Sequence, residues 1–123
     1  MTPPFKRTVG QRYGKRHVPG AMNQAEAEYA DLLQARKLAE QIHEWYFEAV
    51  TLKLAKLCTF TPDFMVYCGN GEIEFVDVKG GGPIDDKSVV KIKVAAEKFP
   101  QFRFVQEKKR AKRDGGGFER REF

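Results

Sequence analysis

Three ionisable residues interrupt apolar, strand-like runs of the sequence. Asp63 lies at the head of one run, and Asp77 and Lys79 alternate with valines at the end of the next. Because side chains alternate along a strand, Asp77 and Lys79 face the same side of a sheet. Turn-forming residues at 68–71 separate the runs and predict a hairpin that brings Asp63 beside Asp77. Two converging carboxylates predict a site for a hard cation such as Mg²⁺, with Lys79 placed to orient a water or neutralise a phosphate.

The elements that must position these residues follow from the spacing of apolar side chains. In chain order they are a helix at residues 23–40, strands at 45–54, 59–67 and 72–79, a helix at 85–98 and a short strand at 102–105. The first three strands can form an antiparallel meander, and the second helix crosses over to the fourth strand. The sequence therefore predicts an α/β fold in the order αβββαβ, with a mixed central sheet flanked by helices.

The length and composition limit the class of protein. A chain of 123 residues with 41% apolar residues has room for one domain with a real core. No apolar run approaches the roughly 18 residues needed to span a bilayer, and residues 1–20 lack the apolar centre of a signal peptide, so we expect a cytoplasmic protein without a membrane partner. Cys58 and Cys68 are too few for a disulfide scaffold, and two histidines do not complete a structural zinc site.

The net charge of +5 is unevenly distributed along the chain. Residues 1–20 contain five basic residues and no acidic one, residues 108–123 carry a net +4, and the segment between them carries −4. Basic ends on an acidic body suit a protein that neutralises phosphates at its periphery and keeps carboxylates inside. We therefore predict a basic N-terminal arm at 1–20, one domain at 21–107 and a flexible basic C-terminal tail at 108–123. The alternative is that both ends serve only solubility.

Pro62-Asp63 followed by Asp77-Val78-Lys79, on this order of elements, resembles the PD-(D/E)xK nuclease superfamily of restriction enzymes, Holliday-junction resolvases and phage nucleases. A closer resemblance, to small phage-encoded members that include the virus-type replication-repair nucleases, rests on Thr61-Pro62-Asp63-Phe64, Asp77-Val78-Lys79-Gly80, Lys91-Ile92-Lys93 and Phe99-Pro100. The resemblance covers residues 23–106. It implies a restriction-endonuclease-like core and a single nuclease domain.

The resemblance also implies roles for individual residues. Asp63, Asp77 and the backbone carbonyl of Val78 would hold Mg²⁺, for which Mn²⁺ would substitute, and no organic cofactor is needed. Lys79 would position the attacking water or stabilise the developing negative charge.

A glutamate of the first helix often assists the metal in this superfamily. Glu26 is the better match and Glu28 the alternative. Glu26 also stands three residues after Asn23, the spacing of a capping box, and this structural interpretation is equally good.

DNA is the implied partner, held through its phosphates by basic residues outside the metal site. The expected contacts are Lys87, Lys91 and Lys93 of the second helix, Lys6, Arg7, Arg12, Lys15 and Arg16 of the arm, and Lys108, Lys109 and Arg110 of the tail.

These expectations combine into a Mg²⁺-dependent, phage-type endodeoxyribonuclease that acts in a bacterial cytoplasm on branched or structured DNA, such as junctions and repair or recombination intermediates. A four-way junction is two-fold symmetric, which predicts a homodimer with Trp45, Tyr46 and Phe47 as exposed aromatic residues at its interface. Two alternatives stay open. One is a catalytically inactive DNA-binding or assembly protein with the same fold, and the other is a nuclease acting on RNA or in defence or counter-defence.

Overall fold

The computed structural model describes residues 20–123, so all but the last residue of the predicted N-terminal arm lies outside the described part. The elements in chain order are α1 (Gln24–Leu38), β1 (Ile42–Phe47), β2 (Leu52–Ala55), β3 (Cys58–Phe60), β4 (Phe64–Cys68), β5 (Ile73–Lys79), α2 (Asp86–Lys98), β6 (Arg103–Lys109), a 3₁₀ turn (Lys112–Asp114) and β7 (Phe118–Glu122). Among these residues, no helix is long and apolar enough to cross a membrane.

Five of the strands form one mixed sheet in the order β1-β4-β5-β6-β7. The β5–β6 pair is parallel and is connected through α2, whereas the other neighbouring pairs are antiparallel. Strands β2 and β3 form a separate antiparallel hairpin. The predicted α/β class and mixed sheet are therefore confirmed.

Each face of the sheet is covered by one helix, and the alternation along β5 separates the two cores. On one face, Tyr29 and Leu33 of α1 pack with Trp45, Phe64, Val76 and Val78. On the other face, Ile92 and Ala95 of α2 pack with Phe75, Phe104 and the apolar side of the β2–β3 hairpin. Asp77 and Lys79 follow the alternation of Phe75 and so lie on the α2 face.

The predicted strand at residues 45–54 is divided in the structure. β1 ends at Phe47, and Glu48 adopts a left-handed backbone with φ of 48°, which ends the extended conformation. The chain then enters the β2–β3 hairpin and rejoins the main sheet after Pro62, which has no N–H to donate to a ladder. The element order therefore contains an inserted hairpin that the sequence pattern did not indicate.

The prediction of a flexible C-terminal tail at 108–123 is wrong. Residues 118–122 form β7, which pairs with β6 along its length, and Gly115, Gly116 and Gly117 supply the positive φ angles of the connecting turn. Arg120 of this strand forms ion pairs with the buried carboxylates of Glu74 and Glu107. The domain therefore extends beyond residue 107, to the end of β7.

The aromatic residues proposed for a dimer interface are mostly inside the protein. Trp45 and Phe47 are 1% and 3% exposed and pack against Phe64, whereas Tyr46, which alternates with them, is half-buried. The expectation that all three are exposed is wrong, because β1 turns Trp45 and Phe47 towards α1.

Candidate active site

The ends of β4 and β5 bring the two predicted carboxylates together. Phe64 pairs with Val76, so Asp63, one residue before β4, lies beside Asp77. The Val78 N–H donates a 2.7 Å hydrogen bond to Asp63 Oδ2. The backbone carbonyl of Asp63 accepts a hydrogen bond from the Glu48 N–H, which fixes the approach to the strand. The predicted juxtaposition of Asp63 and Asp77 is present.

Lys79 completes the motif on the α2 face of the sheet. Its Nζ lies 3.3 Å from Asp77 Oδ2, as expected for residues two apart on one strand. The same Nζ donates a 3.0 Å hydrogen bond to the Ser88 hydroxyl in the first turn of α2. Ser88 is a contact that sequence reasoning missed, because it comes from a different element nine residues away.

Glu26 forms the capping box, one of the two interpretations that the sequence left open, and its metal role stays a prediction. It is 4% exposed, its N–H donates to Asn23 Oδ1, and the Asn23 N–H donates to Glu26 Oε1, which together form a capping box. Its carboxyl also lies close enough to Asp63 for its negative charge to raise the pKa of the Asp63 carboxyl. Glu28, the alternative helix carboxylate, pairs instead with Lys109 Nζ at 2.7 Å.

Asp63, Asp77 and Glu26 form a group that we call the carboxylate cluster. Burial is the main cause that raises the pKa of Asp63 well above its ordinary value, and the negative charges of Asp77 and Glu26 raise it further. Asp63 therefore retains a proton at pH values where a free aspartate is ionised. A divalent cation that binds there has to displace this proton, so its affinity is expected to increase with pH.

Gln106 is the second contact that sequence reasoning missed. It stands in register with Asp77 across the parallel β5–β6 pair, and its Nε2 donates to Asp77 Oδ2 at 3.3 Å. The residue is 1% exposed. The available signal was a glutamine directly after the apolar pair Phe104-Val105, but the strand was expected to end at residue 105.

The cluster can be tested for its fit to a hard cation. Within residues 20–123, the carboxylate cluster included, no three His, Cys, Asp or Glu side chains have the arrangement of a ready cation site. Mg²⁺ requires only one or two carboxylates together with waters. Asp63 and Asp77 supply two, and the Val78 carbonyl points to the same side of β5 as its N–H, towards Asp63. These donors fit Mg²⁺, with Glu26 beside them.

The basic residues predicted to hold DNA have different surroundings. Lys108 is in register with Lys79, and Lys87 and Lys93 are exposed on α2. Three others have partners within the protein: Lys91 Nζ donates to the Thr59 carbonyl, Lys109 pairs with Glu28, and Arg110 Nε donates to the Gly116 carbonyl. The basic residues of the arm, Lys6, Arg7, Arg12, Lys15 and Arg16, lie outside the described residues.

The chain matches no protein-family model, no curated protein and no solved structure. Carboxyl groups that meet beside one ammonium group at the end of two strands can hold a divalent cation and direct water at an anionic substrate.

Proposed function

We propose that the chain is a Mg²⁺-dependent endodeoxyribonuclease of the PD-(D/E)xK type that hydrolyses phosphodiester bonds in branched or structured DNA. The observation that carries the proposal is the meeting of Asp63 and Asp77 beside Lys79. The topology supports it, because leaving out the β2–β3 hairpin and β7 gives α1-β1-β4-β5-α2-β6. This reduced order agrees with the αβββαβ order that we propose for a restriction-endonuclease-like core.

The roles of the residues follow from their contacts. Asp63, Asp77 and the Val78 carbonyl would hold Mg²⁺, and Glu26 would add negative charge next to Asp63. When bound there, the ion would supply polarisation of a phosphoryl oxygen and a lower pKa for an attacking water. Asp77 and Ser88 keep Lys79 in place. Its ammonium group would neutralise negative charge that develops on the phosphate.

The substrate would be held by phosphate contacts outside the cluster. Lys108 lies on β6 in register with Lys79 and adds a positive charge next to the site. Lys87 is exposed in the first turn of α2. The basic arm at 1–20 would add further contacts. A symmetric junction needs two such sites, so the proposal includes a homodimer.

The proposal is tested with labelled linear, forked, four-way and single-stranded DNA and with RNA, each incubated with Mg²⁺, Mn²⁺ or a chelator. We expect cleavage of forked or four-way DNA that requires the metal. Binding to DNA without cleavage in either metal would favour an inactive DNA-binding protein. Preferential cleavage of RNA would change the substrate class and keep the chemistry.

Lys79→Ala is expected to reduce the cleavage rate by about 10²- to 10³-fold, the range for loss of one well-placed transition-state stabiliser. Mn²⁺ affinity, measured by titration calorimetry, should change little, because the loss of a contact that orients Asp77 is offset by removal of a positive charge 3.3 Å from Asp77 Oδ2. Lys53→Ala removes the same charge at an exposed position of β2 and is the matched control. A normal rate in Lys79→Ala would exclude this residue from the chemistry.

Glu26→Gln separates the capping role from the metal role. The amide oxygen can still accept the Asn23 N–H, so the helix start is retained, but the negative charge next to Asp63 is lost. We expect Mn²⁺ affinity to fall by roughly 10- to 100-fold, the range for loss of a group that supports the metal ligands.

Asn23→Ala is the complementary control for that substitution. It should reduce stability by about 1 kcal/mol, as is typical of a lost N-cap, and leave Mn²⁺ affinity unchanged. Thermal denaturation and calorimetric titration of both variants give the comparison. Wild-type metal affinity in Glu26→Gln would reduce Glu26 to a helix cap.

A further inference from the structure

Gln106 is the one residue of the described chain that has a buried side-chain oxygen or nitrogen without a hydrogen-bond partner. The unpaired atom is Oε1, and the whole residue is 1% exposed in the interior of the sheet. Its Nε2 is paired, because it donates to Asp77 Oδ2 at 3.3 Å. The amide is therefore held on one side only.

Stability does not explain an amide at this position. A buried acceptor without a donor costs on the order of 1–3 kcal/mol, and an apolar side chain of similar shape would avoid that cost. The orientation of the amide follows from its neighbour, since Nε2 is the only atom of the amide that can donate to Asp77 Oδ2. Oε1 is then directed away from Asp77 and has to find its donor elsewhere.

Both side-chain donors that contact Asp77 reach the same carboxylate oxygen, Oδ2. Lys79 Nζ and Gln106 Nε2 each lie 3.3 Å from Oδ2. The opposite oxygen, Oδ1, is thereby left for a ligand. Lys79 comes from the same strand as Asp77 and Gln106 from the neighbouring one, so together the two donors restrict rotation of the carboxylate.

We propose that Gln106 is a positioning residue of the cation site, whose Nε2 orients Asp77 so that Oδ1 faces the cation, and whose Oε1 accepts a hydrogen bond from a water in the loaded site. The inference rests on the proposed function, because it presumes that Asp77 is a metal ligand. Gln106 itself would not touch the cation. Its effect would be on metal affinity and on the order of the bound water.

Gln106→Met tests this role with a side chain of similar length that forms no hydrogen bond to Asp77. We expect the affinity for Mn²⁺ alone, measured by titration calorimetry without DNA, to fall by roughly 10- to 100-fold. The melting temperature of the metal-free protein should stay the same or rise, because an unpaired buried acceptor has been removed. A purely structural glutamine would give the opposite pattern, with lower stability and unchanged affinity.

Gln34→Met is the matched control on the other face of the sheet. Gln34 Oε1 accepts a 2.9 Å hydrogen bond from Trp45 Nε1, so its loss should lower the melting temperature and leave Mn²⁺ affinity unchanged. Gln106→Asn is a second variant that keeps an amide and shortens its reach to Asp77 by one methylene. It should weaken Mn²⁺ binding as Gln106→Met does. Because it keeps a polar amide in the core, it separates the loss of the Asp77 contact from the loss of polarity.

The outcomes separate this inference from the function on which it rests. Wild-type Mn²⁺ affinity in both Gln106 variants, together with a clear loss in Asp77→Asn, would overturn the positioning role alone. Mn²⁺ binding that is absent in the wild type, or equal in wild type and Asp77→Asn, would overturn the metal site and the positioning role together.

Discussion

Asp77→Asn is expected to abolish metal-dependent cleavage and to leave the chain folded. Asparagine has nearly the same size, and its Oδ1 can still accept from Lys79 and Gln106, so the local hydrogen bonds can be retained. The substitution removes the charge that would hold Mg²⁺. The loss of activity should exceed the roughly 10- to 100-fold effect of residues that only support a metal ligand.

Asp63→Asn should have the same catalytic effect and a distinct effect on stability. The amide can still accept the 2.7 Å hydrogen bond from Val78 N–H. The raised pKa of Asp63 means that the folded state binds a proton more tightly than the unfolded state. Between the ordinary pKa of aspartate and the raised value, stability of the metal-free wild type therefore falls as pH rises. Asp63→Asn should remove this contribution and melt higher than wild type towards alkaline pH.

Melting curves across a pH series, with and without Mn²⁺, measure both effects. Mn²⁺ at 100 times its dissociation constant should stabilise the wild type by about 2.7 kcal/mol and should not stabilise the Asp77 variant. Glu97→Gln makes the same change of charge at an exposed position of α2 and should behave as wild type. Near-normal cleavage by either aspartate variant would show that the carboxylate cluster is not the active site.

The convergence of Asp63, Asp77 and Lys79 could be predicted because it depends on local geometry. Strand alternation places Asp77 and Lys79 on one face, and the short turn after β4 fixes the register that puts Asp63 beside Asp77. The helix boundaries were also close, since Asn23 and Asp85 cap α1 and α2. Caps and turns act over a few residues, within the range that a sequence pattern describes.

The contacts of Ser88 and Gln106 could not be predicted in the same way. Each reaches the site through the α2 crossover, and Gln106 meets Asp77 from 29 residues away in sequence. The spacing of apolar residues in the sequence does not indicate which residue of β6 pairs with which residue of β5. Sequence reasoning therefore identified the charged groups of the site and missed the polar side chains that hold them.

Strand β7 was misread because of its composition. Three glycines and a run of charges are typical of a mobile tail, and residues 118–122 contain one apolar side chain among four charged ones. The partners of Arg120 are buried glutamates on β5 and β6, far away in sequence. A charge that is neutralised by long-range contacts cannot be distinguished from a solvated one in the sequence alone.

Arg120→Met is expected to destabilise the protein by about 3 kcal/mol, the lower end of the range for breaking a buried ion pair. Arg120 pairs with Glu74 and Glu107, whose side chains are 8% and 4% exposed, so its removal leaves two buried carboxylates without their cation. The Tyr29 hydroxyl still donates to Glu107 at 3.2 Å, but it carries no compensating charge. Arg120 itself is one-third exposed, and solvent therefore reduces the effect below the upper end of that range.

Urea denaturation of matched variants tests whether burial of the glutamates is the cause. Arg103→Met makes the same substitution where both partners, Glu122 and Glu72, are about half exposed, and it should cost at most about 1 kcal/mol. Changing Glu74 and Glu107 to glutamine in the Arg120→Met background should recover much of the loss, because no buried charge is then left unpaired. Equal losses for the two arginine variants, or no recovery in the triple variant, would mean that β7 is held by its backbone ladder and not by the charge of Arg120.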